Sequence, residues 1–200
     1  DPQHLWAGNG LRARILIYSG LVTADGTNDR LSNLARDRAA MARPTAGTTG
    51  GHVAALYTLW GDAKADAFFR SIATNQITLL GGNGVVAEAV ADGKFAVGLT
   101  DNDDFANLEP RRGTVSWMLP DQDGLGALMI PTTVALVANR PESADAKRMI
   151  DYLLSQEVEQ ELIRVKFAGW SIRGTGSQPR AMQVDYVEVA RKMPEAVRRA

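Results

Sequence analysis

The sequence of 200 residues contains no cysteine, which excludes disulfide bonds, thiolate metal sites and cysteine nucleophiles. It has only two histidines, His4 and His52, and no Gly-x-Ser-x-Gly motif, so no nucleophile stands at a recognisable spacing from a base. The formal net charge is -1, which gives no long-range attraction to nucleic acid or to an anionic membrane. We therefore expect neither a hydrolytic site nor a nucleic-acid partner.

Long apolar runs are also missing. The longest uncharged stretches, 44–61 and 124–139, are interrupted by glycines, threonines or proline, whereas a membrane span needs about 20 mostly apolar residues. The opening letters DPQHLWAGNG contain neither a basic nor an apolar region of the kind that forms a signal peptide. With 45% hydrophobic and 22% charged residues, the composition is typical of a globular chain with its own core.

A βαβ unit is the clearest structural pattern. The letters ITLLGG and FAVGLT predict strands, and NGVVAEAVADG between them predicts a helix with Asn83 as N-cap and Gly93 just after its end. This spacing favours a right-handed crossover in a mostly parallel sheet. RARILIYSG (12–20) predicts another strand, and a helix is expected from about Gly51 to Gly61.

Three aspartates, Asp101, Asp103 and Asp104, directly follow the predicted strand 95–100. At about 6 Å and an effective dielectric constant of about 20, each pair of these charges would repel by roughly 3 kcal/mol. Either the loop is solvated and its aspartates cap a helix, or a cation or hydrogen-bonding ligand lies among them. The carboxyl ends of strands in open α/β sheets are where ligands bind. An EF-hand is excluded, because the sixth and twelfth positions are Ala106 and Arg112.

The stretch TAGTTGGH (45–52) precedes a predicted helix. Thr48 and Thr49 offer hydroxyl groups, and the backbone amides of Gly50 and Gly51 are expected to point outward from the helix N-terminus. Such an end binds phosphate or carboxylate groups, although a simple threonine N-cap explains the same letters.

The first predicted strand carries two arginines, Arg12 and Arg14, which alternation places on one face of the strand. One of them could meet an anion, and solvent exposure is the commoner outcome for an arginine.

In their order and spacing, four stretches resemble the periplasmic solute-binding proteins of ABC importers, in the branch of the ferric-ion-binding proteins. They are GLRARILIY, PTAGTTGGHVAAL, GGNGVVAEAVADGKFAVGLTDNDDF and GALMIPTTVALVANRPESADAKRMIDYLLSQEVEQELI. The resemblance covers nearly the whole chain.

The resemblance implies an α/β fold of the periplasmic-binding-protein-like class II, with one complete lobe and the C-terminal part of the other. The complete lobe is expected at 23–114. Residues 1–22 and 115–200 are expected to form hinge strands and the remainder of the first lobe, with C-terminal helices. A full member would carry about 100 more residues ahead of this chain, in keeping with usual domain sizes.

The resemblance also implies a ligand site whose residues are Arg12, Thr48, Thr49, Gly50, Gly51, Asn83, Asp101, Asp103 and Asp104. Iron-binding members carry two adjacent tyrosines where this sequence has Asp103 and Asp104, and a second asparagine where it has Asp101. A carboxylate at that position would repel the anion that those members bind. Three carboxylates suit a hard cation, with Asp103 and Asp104 as the candidate metal ligands, or the ammonium group of an amino-bearing solute.

The function implied is that of the substrate-binding component of an ABC importer. Such a protein is not an enzyme: it captures a small polar solute or metal ion in an interlobe cleft outside the cytoplasm and delivers it to a permease in the inner membrane. Apart from a possible metal ion, no cofactor is expected. The alternatives are a ligand-sensing effector domain of a regulator and, third, a metal-dependent enzyme that uses the Asp101–Asp104 cluster.

Overall fold

The computed structural model describes residues 6–21, 28–108, 114–137, 144–174 and 176–200. The chain divides into two compact units. Unit 1 contains Asp1–Ala13 and Met129–Gln178, and unit 2 contains Arg14–Leu128 and Pro179–Ala200. In the described part of the chain, no helix combines the length and the hydropathy needed to cross a membrane.

Strands and helices alternate along most of the chain. The strands are β1 (Ala7–Ser19), β2 (Ala39–Ala42), β3 (Thr78–Leu80), β4 (Val97–Asp101), β5 (Val115–Met118) and β6 (Met129–Val134). The helices are α1 (Gly47–Trp60), α2 (Asp62–Thr74), α3 (Asn83–Ala91), α4 (Asn102–Ala106), α5 (Ala144–Leu153), α6 (Gln156–Arg164) and α7 (Tyr186–Arg199). A 3-10 helix spans Leu31–Ala35.

Unit 2 is built on a sheet with the strand order β3-β2-β4-β1-β5. β2 pairs in parallel with β3 and β4, whereas β1 is antiparallel to both β4 and β5. The predicted crossover is therefore present, since α3 connects β3 to β4 across β2. The sheet is mixed, because β1 runs against the other four strands, which share one direction.

Helices cover both faces of this sheet. Alternation along β1 sends Leu16 and Tyr18 into a core with α1, α2 and α7, and sends Ile17 into a second core with α3. A Cβ at Gly98 would lie 2.6 Å from Val86 Cγ1, so the glycine lets α3 pack directly on β4. The buried apolar residues thus hold the ends of β4 and α3 in fixed positions.

In unit 1, the first half of β1 pairs with β6, and α5 and α6 follow in the chain. Pro131 lies inside β6 opposite Leu11, and β6 continues through it as a single strand over Met129–Val134. Glu159 of α6 is almost fully buried, and it accepts hydrogen bonds from Ser171 Oγ and from Arg173 Nη1 at 3.1 and 2.7 Å.

The units do not share the boundaries expected for the lobes. The complete lobe was expected at 23–114, whereas unit 2 begins at Arg14, extends to Leu128 and also includes Pro179–Ala200. The C-terminal helix α7 accordingly packs on α1 in unit 2, although the sequence analysis placed the C-terminal helices with the other lobe. The lobe boundaries themselves remain a prediction.

Gly50 lies where α7 approaches α1. A Cβ at Gly50 would be 3.2 Å from the carbonyl oxygen of Pro44 and 3.4 Å from the sulfur of Met193. Its neighbour Gly51 has no atom within 4 Å of the corresponding point. Of the two adjacent glycines, only Gly50 is therefore required for the close approach of α7 to α1.

We predict opposite effects on stability for Gly50→Leu and Gly51→Leu. Gly50→Leu should lower the free energy of unfolding by about 1–3 kcal/mol, because the side chain must displace α7 or the Pro44 carbonyl. Gly51→Leu should raise it by up to about 1 kcal/mol, since leucine is the better helix former and enters open space. Urea unfolding followed by circular dichroism measures both, and equal effects would contradict the packing.

His52 is buried in the same helix, one turn after Thr48 and Thr49. Its side chain is 1% exposed, and neither ring nitrogen has a hydrogen-bond partner among the described residues. Burial, reinforced by the nearby charge of Arg14, lowers the pKa of His52 to about 3. The folded protein therefore keeps this imidazole neutral.

This burial predicts a loss of stability in mild acid. Because the folded pKa lies below the ordinary value of 6.5, the contribution is complete above pH 6.5 and falls as the pH drops toward 3. At pH 5, wild type should have lost about 2 kcal/mol relative to its stability at pH 7.5. His52→Leu should lack this component, and urea unfolding at both pH values compares the two proteins. Identical pH profiles would show that His52 carries no such dependence.

Candidate functional site

A buried ion pair between Arg14 and Asp101 forms the centre of the candidate site. The two residues lie directly opposite each other on the antiparallel strands β1 and β4. Arg14 Nη1 donates to Asp101 Oδ1 at 2.5 Å, and the side chains are 0% and 3% exposed. The strand register therefore brings together two charges that are 87 positions apart in the sequence.

The first turn of α1 adds two threonine hydroxyl groups. Thr48 Oγ1 accepts from Arg14 Nη1 at 3.2 Å and donates to Asp101 Oδ2 at 2.9 Å. Thr49 Oγ1 accepts from Arg14 Nη2 at 3.3 Å and donates to Asn83 Oδ1 at 3.0 Å. Both threonines thus bind the guanidinium group, and Thr48 connects it to the carboxylate a second time.

Asn83 is the first residue of α3 and joins that helix to the same cluster. Its Nδ2 donates to Thr48 Oγ1 at 2.7 Å and to Asp101 Oδ2 at 3.4 Å. The N-cap position belongs to Gly82 rather than to Asn83, so the asparagine side chain bonds across to α1 and β4 instead of to its own helix. Arg14, Thr48, Thr49, Asn83 and Asp101 will be called the polar cluster.

Asp104 lies beside the polar cluster on the short helix α4. Its Oδ2 accepts from Thr100 Oγ1 at 2.9 Å and from the backbone amide of Asp101 at 3.3 Å. Burial, followed by the negative charges of Asp103 and Asp101, raises the pKa of Asp104, and the hydrogen bond from Thr100 only partly opposes this. The two hydrogen bonds to Thr100 and Asp101 hold α4 against the end of β4.

The structure brings together most of the predicted site residues. Hydrogen bonds connect Thr48 to Asp101, Thr49 to Asn83, and Asn83 to Asp101. The aspartates are also close together: each contributes one carboxylate oxygen to a group of three that lie within 4.8 Å of one another, from Asp101, Asp103 and Asp104. Thr48 of the stretch 45–52 thus lies beside Asp101 of the aspartate loop. That these residues bind a ligand stays a prediction.

Gly50 and Gly51 differ from the expectation. Because α1 begins at Gly47 rather than near Gly51, the amide of Gly50 already donates to the carbonyl of Ala46 at 3.2 Å. The amides that precede the first helical hydrogen bonds are those of residues 47–49. Gly50 is occupied by packing against α7, and neither glycine offers the outward amide that the sequence analysis assigned to it.

Of the two arginines in β1, Arg14 rather than the predicted Arg12 belongs to the polar cluster. Arg12 lies in unit 1, where its guanidinium carbon is 5.8 Å from the centre of the Phe167 ring. The alternation of side chains along a strand places Arg12 and Arg14 on the same face and does not show which of them reaches the polar cluster. The pairing register of β1 with β4 does, because it sets Arg14 opposite Asp101. His4 falls outside the described residues.

The aspartates have oxygen ligands of the kind that hard cations prefer. Asp101 does not fit such a site, because its two oxygens already accept from Arg14, Thr48 and Asn83. A cation bound to Asp101 would also lie close to the guanidinium group. Metal binding by Asp103 and Asp104 remains a prediction.

Several solved structures have a similar fold. A structure named ferric binding protein from Campylobacter jejuni superposes with a TM-score of 0.86 at 20% identity, covering 100% of this chain and 70% of that one. The Trichodesmium protein IdiA (FutA), in complex with iron and citrate, gives 0.84 at 18% identity with the same coverage. At such identities the likeness establishes the fold, and it confirms the predicted α/β class.

Similarity of sequence identifies the family. A putative 2-aminoethylphosphonate-binding periplasmic protein from Salmonella typhi is 27% identical over 118 residues, which are 59% of this chain. The match spans only 32% of that relative's length. Residues 12–164 match the family described as bacterial extracellular solute-binding protein. The chain therefore belongs to the family of bacterial extracellular solute-binding proteins.

Proposed function

We propose that the chain acts in the substrate-binding component of an ABC importer. It captures a small polar solute outside the cytoplasm and passes it to a permease in the inner membrane, without catalysing a reaction. Family membership supports this role, as does the naming of the curated relative and both structural neighbours as binding proteins or ligand complexes. The periplasmic description of the curated relative supports the location.

The observation that carries the proposal is the meeting of three loops at one edge of the sheet. β2, β3 and β4 are parallel, so their carboxyl ends lie at the same edge. The segments that follow β2 and β3 supply Thr48 and Asn83, and Asp101 is the last residue of β4. This edge is where open α/β sheets bind ligands, and Thr48, Asn83, Asp103 and Asp104 are all half-buried there rather than sealed in the core.

The charge at this edge favours a solute with a protonated amino group. Arg14 and Asp101 neutralise each other, which leaves Asp103 and Asp104 as the remaining ionisable groups of the aspartate loop. Two neighbouring carboxylates attract an ammonium group and repel a simple anion. The curated relative is named for an amino-bearing solute, 2-aminoethylphosphonate, which makes that compound the natural first probe.

We predict that the chain binds 2-aminoethylphosphonate at least tenfold more tightly than ethylphosphonate. The two compounds share the phosphonate group and differ in the amine, so the ratio measures recognition of the amine alone. Isothermal titration calorimetry at pH 7.5 gives both affinities. Equal affinities, an absence of heat with both compounds, or binding of ferric citrate instead would refute the amino-solute assignment.

Asp103→Asn tests the carboxylate that would meet the amine. This substitution should weaken the binding of 2-aminoethylphosphonate by roughly tenfold, because one half-buried attraction to the ammonium group is lost. Asp92→Asn is the matched control, since it removes the same charge from an exposed position at the other end of α3. A loss of affinity of the same size in both variants would indicate a general effect of charge rather than contact at the site.

A further inference from the structure

The carboxylate of Asp101 has the surroundings that a tightly bound small anion would have. Three side-chain donors converge on its two oxygens: Arg14 Nη1 at 2.5 Å, Thr48 Oγ1 at 2.9 Å and Asn83 Nδ2 at 3.4 Å. The backbone amide of Asp104 also donates to this side chain, in the capping box of α4. The first turns of α1 and α3, to which Thr48 and Asn83 belong, add the partial positive charge of helix N-termini. The residue is 2% exposed, so water does not replace these contacts.

Arg14 makes an anion at this position obligatory. Its side chain is fully buried, and an unpaired guanidinium group in that setting would cost several kcal/mol. Its other partners are two threonine hydroxyls and the carbonyl of Leu99 at 3.5 Å, none of which carries a charge. Asp101 alone supplies the negative charge that the described surroundings of Arg14 need.

We propose that Asp101 is a built-in counter-anion, and that Arg14, Thr48 and Asn83 would form a binding position for a small free anion if its carboxylate did not fill that position. The solute is then not held through an anionic group at Arg14, and the aspartates at the rim recognise its cationic end. This statement about specificity rests on the proposed function. The occupancy of the position by Asp101 is tested separately, without any solute.

A purely structural ion pair and a resident anion predict different behaviour when the carboxylate is removed. Asp101→Ala deletes the carboxylate but leaves Arg14, Thr48 and Asn83 around a space of its size. If those groups form an anion-binding position, a free carboxylate will enter and restore stability. Formate is the suitable probe, because it is the smallest carboxylate and offers the same two oxygens.

The experiment measures the thermal unfolding midpoint of wild type and of Asp101→Ala in 0–100 mM sodium formate, at constant ionic strength set with sodium chloride. Without formate, the variant should unfold at a lower temperature than wild type. Formate that binds with a dissociation constant of about 1 mM should raise the variant's midpoint by roughly 5 °C or more at 100 mM. Wild type should not respond, since Asp101 already fills the position.

A double variant, Arg14→Met with Asp101→Ala, isolates the part played by the buried cation. It should fold, because replacing a buried ion pair by apolar groups is often tolerated, and it should show no response to formate. If Asp101→Ala is unfolded in chloride alone, formate should restore its circular dichroism spectrum.

Three results would overturn the proposal. They are a formate response in wild type equal to that in Asp101→Ala, an equal response in the double variant, and a single variant that formate neither stabilises nor refolds. The formate measurements contain no 2-aminoethylphosphonate. The two proposals can therefore fail separately: calorimetry tests the solute assignment, and the unfolding midpoints test the role of Asp101.

Discussion

The buried ion pair of Arg14 and Asp101 is the constraint on which the polar cluster depends. It joins the central strand β1 to β4, and through Thr48 and Asn83 it fixes the first turns of α1 and α3. Removing one partner of such a pair typically costs about 3–5 kcal/mol, because the other charge is left buried and uncompensated. The same contacts therefore hold the fold together and define the site's geometry.

The topology of the sheet explains why these residues meet at all. Parallel pairing of β2 with β3 and β4 places three successive loops at one edge, and the short strands end close to the helices that follow them. Antiparallel β1 then enters the sheet beside β4 and brings Arg14 to the end at which β4 finishes. The directions of the strands in the sheet, rather than the local sequence, therefore place the first turn of α1 next to Arg14 and Asp101.

Much of this arrangement could be predicted from the sequence, and the exceptions have physical reasons. Local signals placed Asn83 and the aspartates after predicted strands, and the parallel crossover then implied that these residues lie at one edge. Thr48 was placed only at the start of a predicted helix. The choice between Arg12 and Arg14 depends on a register between residues 87 positions apart, which no local pattern encodes. The start of α1 was placed four residues late, because its first turn consists of glycine and threonine, which have low helix propensity. The short strand β2, with the sequence AAMA, escaped notice because alanine has little strand preference and only its burial in the sheet stabilises it.

The aspartate loop shows how one sequence feature can serve two purposes. Asp101 is paired with Arg14, and Asp104 holds α4 against β4 through its hydrogen bond with Thr100. The pKa of Asp104 is nevertheless raised by burial and by the carboxylates beside it, which means that its ionised form is disfavoured in the protein alone. A cation bound at this rim would favour the ionised form and lower that pKa again. Under the proposed function, the repulsion among these carboxylates would contribute to affinity, because a bound cationic solute would reduce it.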